Sequence, residues 1–173
     1  MKRSELEHLI RAAGKIAGER EIVVIGSQAV LGQFPDAPPA LLRSMEGDLY
    51  PRNKPELADK VDGAIGEGSR FHEQYGYYAQ GVGPDTATLP RGWQRRLVRV
   101  ENAHTNGYAG LCLEVHDLAL SKYVAGREKD LSFVGGLLRH HLADTQIIRQ
   151  RLMSIPLSDE LRDACLARLQ RLS

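Results

Sequence analysis

The 173-residue sequence predicts an α+β fold in which strands and helices alternate early and a helical C-terminal region follows. Three observations carry this expectation. Short β-branched runs, of which 21–25 is the clearest, lie among helical repeats in the first two-thirds of the chain. From Glu114 onward every segment has helical periodicity, and strands mixed with helices before helices alone is the pattern of an α+β core with a helical tail. The hydrophobic share of 42% and the charged share of 26% suit an ordinary globular chain able to bury a sizeable core.

The elements follow in order. Residues 4–18 place Leu6, Leu9, Ile10, Ala13 and Ala17 at helical spacing, with Ser4 as N-cap, Glu7 three residues on and Gly18 at the C-terminal end. Residues 21–25 read as a buried strand and 28–34 as a short helix ended by Pro35. A strand is expected over 41–50, where Pro51 stops the pairing, and a helix over 55–65 with Pro55 in its first turn. Residues 71–79, rich in Tyr75, Tyr77 and Tyr78, read as hairpin strands before a turn at 81–85. Two further strands, 97–101 and 108–113, are joined by a turn over 102–107. Helices are then expected at 116–125, 129–141, 145–153 and 158–172, so residues 1–113 form the core and 114–173 a helical part packed on it as one compact unit.

Composition excludes several functions. The net charge of +1 gives no global field for nucleic acid or anionic membrane. No apolar run is long enough to span a bilayer and no signal-peptide pattern opens the chain, so the expected compartment is the cytoplasm. Cys112 and Cys165 lie far apart among apolar residues and read as reduced core thiols. Arg91, Arg95, Arg96 and Arg99 with Trp93 form a basic run; a solvated loop is its ordinary reading and RNA binding its functional one.

Two stretches carry chemistry. In Val24-Ile25-Gly26-Ser27-Gln28-Ala29 a buried strand turns through Gly26-Ser27 into a helix that Ser27 would cap, which aims backbone N–H groups at a phosphate. In Ser44-Met45-Glu46-Gly47-Asp48-Leu49-Tyr50 a strand carries Glu46 and Asp48 at i and i+2, on one face. Adjacent acids raise each other's pKa unless a cation sits between them, so a divalent metal is the functional reading and an aggregation-resistant edge the bland one. Phosphate cradle and paired acids together point to a nucleotide site using Mg²⁺.

These segments resemble the nucleotidyltransferase superfamily to which polymerase beta belongs, in particular its small bacterial abortive-infection and toxin–antitoxin branch. Gly26-Ser27 matches the first motif and Glu46-Gly47-Asp48 the acid-x-acid pair; Asp117-Leu118, Lys122, Ala125, Arg127 and Lys129-Asp130 match a downstream helix. The sequence differs in having Glu at the first acid and an extra loop, Asp36-Ala37-Pro38-Pro39, before it. The resemblance implies a mixed β-sheet core flanked by helices, with Glu46 and Asp48 holding Mg²⁺ or Mn²⁺. It also implies phosphate contacts from Gly26, Ser27, Lys122 and Arg127, and a third carboxylate, Glu101, as ligand or base. Asp130 would cap its helix or orient Lys122. The implied reaction moves a nucleoside monophosphate from an NTP to a hydroxyl of RNA, protein or a small molecule. A homodimer or a toxin–antitoxin partner would accompany it. The alternative is a non-catalytic module that keeps the fold and binds nucleotide, RNA or a partner, marked by the lack of a third carboxylate near the metal position.

Overall fold

The computed structural model describes residues 1–172, the last by its backbone only, so Ser173 of the predicted helical part lies outside the described residues. Five strands form one mixed sheet: β1 (Glu21–Val24), β2 (Glu46–Pro51), β3 (Tyr78–Gly81), β4 (Val98–Val100) and β5 (Ala109–Cys112), in the order β3-β2-β1-β5-β4. β1 runs antiparallel to β2 and parallel to β5, while β2 and β3 are parallel and β4 and β5 antiparallel. Ile22, Val23 and Val24 fill the middle of the sheet and are buried, as a central β-branched strand requires.

Alternation splits the sheet into two chemically different faces. One carries Gly47, Leu49, Ile22, Val24 and Gly110, and α1 (Arg3–Ala17) lies on it through Leu6, Leu9, Ile10 and Ala13. A Cβ at Gly110 would come within 2.3 Å of Ile10 Cδ1, so glycine leaves the Ile10 side chain its room against the sheet. α3 (Ala58–Ile65) packs on the same side, against α1 and β3. The other face carries Glu46, Asp48 and Tyr50, and there the cleft opens.

After β1 comes α2 (Val30–Gln33), which packs on β5 and β4, and after β5 come α5 (Val115–Ala125), α6 (Glu128–Arg139), α7 (Thr145–Leu152) and α8 (Asp159–Leu172), which pack on one another. Tyr123, Val134, Leu137, Ile148, Leu152 and Cys165 form their shared core. Cys112 and Cys165 are both buried and free, as expected, and burial pushes the Cys112 thiol up to about 12. Among the described residues no helix is long and apolar enough to cross a membrane.

Three expectations change. Residues 71–79 are not a hairpin: α4 (Arg70–Tyr75) precedes β3, which pairs in parallel with β2. Ser69 Oγ accepts from His72 N–H and Gly76 closes the helix at φ 77°, a pair of caps that outweighs the strand preference of the tyrosines. Strand β2 starts only at Glu46, because Pro38–Pro39 initiates a 3-10 turn at Pro39–Leu41 instead of extended chain. α1 begins at Arg3 with Lys2 at the cap, so Ser4 lies inside the helix and Glu5, not Glu7, accepts the Lys2 N–H. Glu7 is buried and holds Arg3 and Asn102.

Candidate active site

Glu46 and Asp48 project from β2 into a cleft of about 690 Å³, whose other walls include Ser27, Lys122, Arg127, Lys129 and Asp130. The β1–α2 turn forms one side. Ile25 N–H donates to the Asp48 carbonyl at 3.0 Å, which brings Gly26 against the acid. A Cβ at Gly26 would lie 1.9 Å from Asp48 Oδ2, so glycine is required by the carboxylate itself and not by a positive φ. Gly26→Ala is expected to push the Asp48 side chain out of place at a cost of about 1–3 kcal/mol, the usual range for overpacking. The melting temperature of this variant should fall; an unchanged value would show that Asp48 has room to move.

Ser27 does not cap a helix. Gly26 occupies the cap position of the 3-10 turn Ser27–Ala29, and the Ser27 side chain stays at the cleft with Gln28 Nε2 donating to its Oγ at 3.3 Å. That leaves the hydroxyl hydrogen free to donate to a ligand.

The opposing wall is cationic. Lys122 comes from α5, and Arg127 and Lys129 from the start of α6. Asp130 is 1% exposed and does not cap α6, whose cap is Arg127. Its carboxylate instead holds Lys122 Nζ at 3.3 Å and Arg127 Nε at 2.6 Å. Burial works against ionisation of Asp130, but the Arg127 hydrogen bonds and the Lys122 charge outweigh it and keep the carboxyl below its ordinary range. Arg43 and Arg139 line the far part of the same cleft. Neither was legible as a site residue, because helix α6 and the 39–44 segment meet only in the folded chain.

Between the walls Asp48 is only partly compensated. Burial, and next the charge of Glu46, raise the Asp48 pKa, while Lys122, Lys129 and Arg127 pull it back only in part. A cation at this pair relieves both penalties. The donor set is hard oxygen on two carboxylates, which is what Mg²⁺ uses when substrate phosphates and waters complete its shell.

Glu101 takes no part. It follows β4, and Val100 pairs with Gly110 at the end of the sheet remote from Glu46. The five-residue rise of β2 alone separates the two ends by roughly 17 Å. There Glu101 accepts from Arg99 at 2.7 Å, and Arg99 also binds Glu21. Among the described residues no group of three or more His, Cys, Asp or Glu could hold a metal, so the expectation of a third carboxylate from Glu101 is corrected. The basic run is dispersed in the same way: Arg96 clamps buried Asp117 at 2.7 Å while Arg99 lies in the remote ladder.

Tyr78 enters the site unannounced. Its hydroxyl donates to Glu46 Oε2 at 3.2 Å, a contact created by the register that sets Tyr78 beside Glu46. The i, i+2 pattern of Tyr78 and Gln80 opposite Glu46 and Asp48 is visible only once the strands are known to pair.

No curated protein and no solved structure matches the chain. A family model described as a nucleotidyltransferase of unknown function (DUF6036) matches residues 4–156, most of the sequence, and the chain belongs to that family.

Proposed function

We propose that the protein transfers a nucleoside monophosphate from an NTP to an acceptor hydroxyl, on RNA or protein, with release of pyrophosphate and dependence on Mg²⁺ or Mn²⁺. The observation that carries this reading is the acid pair of Glu46 and Asp48 facing the Lys122–Arg127–Lys129 wall across one cleft. Glu46 and Asp48 would hold the cation. Bound there, Mg²⁺ polarises phosphoryl oxygens and lowers the pKa of the attacking hydroxyl. Ser27 would donate its hydroxyl to a phosphate oxygen. Lys122 and Arg127, preset by Asp130, offset the charge that builds on departing pyrophosphate without reorganising in the transition state. Lys129 adds a third ammonium or guanidinium charge on the same side.

A second reading has its own support: a nucleotide-binding module of the same fold without turnover. The remote position of Glu101 favours it. Both readings require the nucleotide site, so thermal stability with each NTP, with and without Mg²⁺, is the first test. Ligand at a hundred times its dissociation constant adds about 2.7 kcal/mol, which for a domain of this size raises the midpoint by roughly 5–10 °C. No shift with any NTP would defeat both readings. A Mg²⁺-dependent shift followed by movement of the label from α-labelled NTP onto a candidate acceptor, with release of unlabelled pyrophosphate, supports transfer; binding with no labelling of RNA or protein favours the module.

A further inference from the structure

The two acids of the cleft are not held in the same way. Asp48 is short and lies against Gly26, where nothing larger fits. Glu46 has one more rotatable bond, and its carboxylate has a single hydrogen-bond partner among the described residues, the Tyr78 hydroxyl at 3.2 Å. Tyr78 is in turn supported. The His72 ring lies 4.6 Å from the Tyr78 ring, tilted by 52°. His72 is itself tied down at its backbone N–H by Ser69 Oγ at 3.2 Å and at Nδ1, which accepts from Gly68 N–H at 3.0 Å. The short helix α4 thus backs a hydroxyl that backs an acid.

We infer that Tyr78 is a positioning residue for Glu46: it binds one carboxylate oxygen and leaves the other, beside Asp48, preorganised for a divalent cation. This rests on the metal-dependent reading above and adds to it a residue outside the motif-bearing segments. The physical basis is that a long carboxylate loses rotamer freedom on coordinating a metal, and a hydrogen bond that restricts it beforehand removes part of that loss. Tyr78 touches neither substrate nor metal in this role.

The test is Mn²⁺ binding to the nucleotide-free full-length protein, read from the paramagnetic resonance signal of free Mn²⁺. Tyr78→Phe keeps the ring against His72 and removes only the hydroxyl. It is expected to weaken Mn²⁺ binding by about tenfold, the lower end of the range for outer-shell partners of metal ligands, with an unchanged melting temperature. In a Glu46→Gln background the same substitution should cost nothing further, because the carboxylate it positions is gone. Additive losses in that cycle would overturn the inference even if Tyr78→Phe also destabilised the fold. Wild-type Mn²⁺ affinity in Tyr78→Phe, alongside lost affinity in Asp48→Asn, would overturn it while leaving the metal site standing. Absence of Mn²⁺ binding by the wild-type protein would overturn it together with the metal-dependent reading.

Discussion

Asp48→Asn is expected to eliminate the Mg²⁺-dependent NTP shift while leaving the metal-free melting temperature at or above that of the wild type. The two halves of this result have one cause. Burial and the Glu46 charge raise the Asp48 pKa, and a carboxyl whose folded pKa is raised destabilises the fold at any pH where it is ionised. No side-chain hydrogen bond to the Asp48 carboxylate offsets that cost among the described residues, and the attractions of Lys122, Lys129 and Arg127 do so only in part. Asn is nearly isosteric, keeps the fit against Gly26 and removes the repulsion. It also removes the anionic oxygen that a hard cation requires. If transfer is assayed, the loss should reach about a hundredfold or more, since metal-assisted charge stabilisation amounts to several kcal/mol. Such a separation of stability from activity is the usual mark of a functional site. An Asp48→Asn protein that binds Mg²⁺–NTP as the wild type does would remove Asp48 from the site. One that melts far lower would make the carboxylate structural.

What the sequence could reveal about this site follows from the range of each interaction. Glu46 and Asp48 share a face because strand side chains have a period of two, and that is local. Gly26-Ser27 after a buried strand is also local, although the reason for Gly26 is not: it is the Asp48 carboxylate across the β1–β2 pair. Lys122 and Arg127 reach the same cleft from α5 and α6, and of the two roles the sequence leaves open for Asp130, capping or orienting Lys122, the structure takes the second. Glu101 shows the limit most clearly. A period of two places Glu101 on one face with Arg99, and the two are paired, yet which end of the sheet they occupy depends on strand order and direction. Tyr78 was missed for a related reason. The aromatic run 71–79 looked like strand throughout, and the cue that divides it is the Ser69 cap before α4 with Gly76 after it. Only that division frees β3 to pair in parallel with β2 and set Tyr78 beside Glu46.

Asp117→Ala should be the most destabilising single change at the start of α5, by about 3–5 kcal/mol, as for breaking a buried ion pair from one side. For a chain of this length that is a fall of roughly 10–15 °C in the melting midpoint. Asp117 is fully buried and accepts two hydrogen bonds from Arg96, at 2.7 and 3.0 Å, and one from Arg151 at 2.9 Å. Arg151 also binds Glu114, whose other oxygen accepts from His116 Nδ1 at 2.6 Å. His116 Nε2 accepts in turn from Asp144 N–H at 3.0 Å. The network joins the segment before β4, the start of α5 and the start and end of α7, so its loss loosens three elements at once. Acid should act on it too. Burial alone would raise the Glu114 carboxyl, but the hydrogen bonds from His116 and Arg151 outweigh that and hold it at about 2 instead of its ordinary 4.5. A depressed folded pKa contributes stability that is complete above the unfolded value and lost as the pH falls through the folded one. Stability should therefore decline between about pH 4.5 and 2, by about 3 kcal/mol from this group. Glu114→Gln cannot lose what it does not have, so its acid limb should be shallower by that amount even though it starts less stable at neutral pH. Parallel acid limbs for the variant and the wild type would mean that the Glu114 carboxylate gains nothing from its partners, and that apolar packing and the Arg151–Asp117 pair hold α7 against α5.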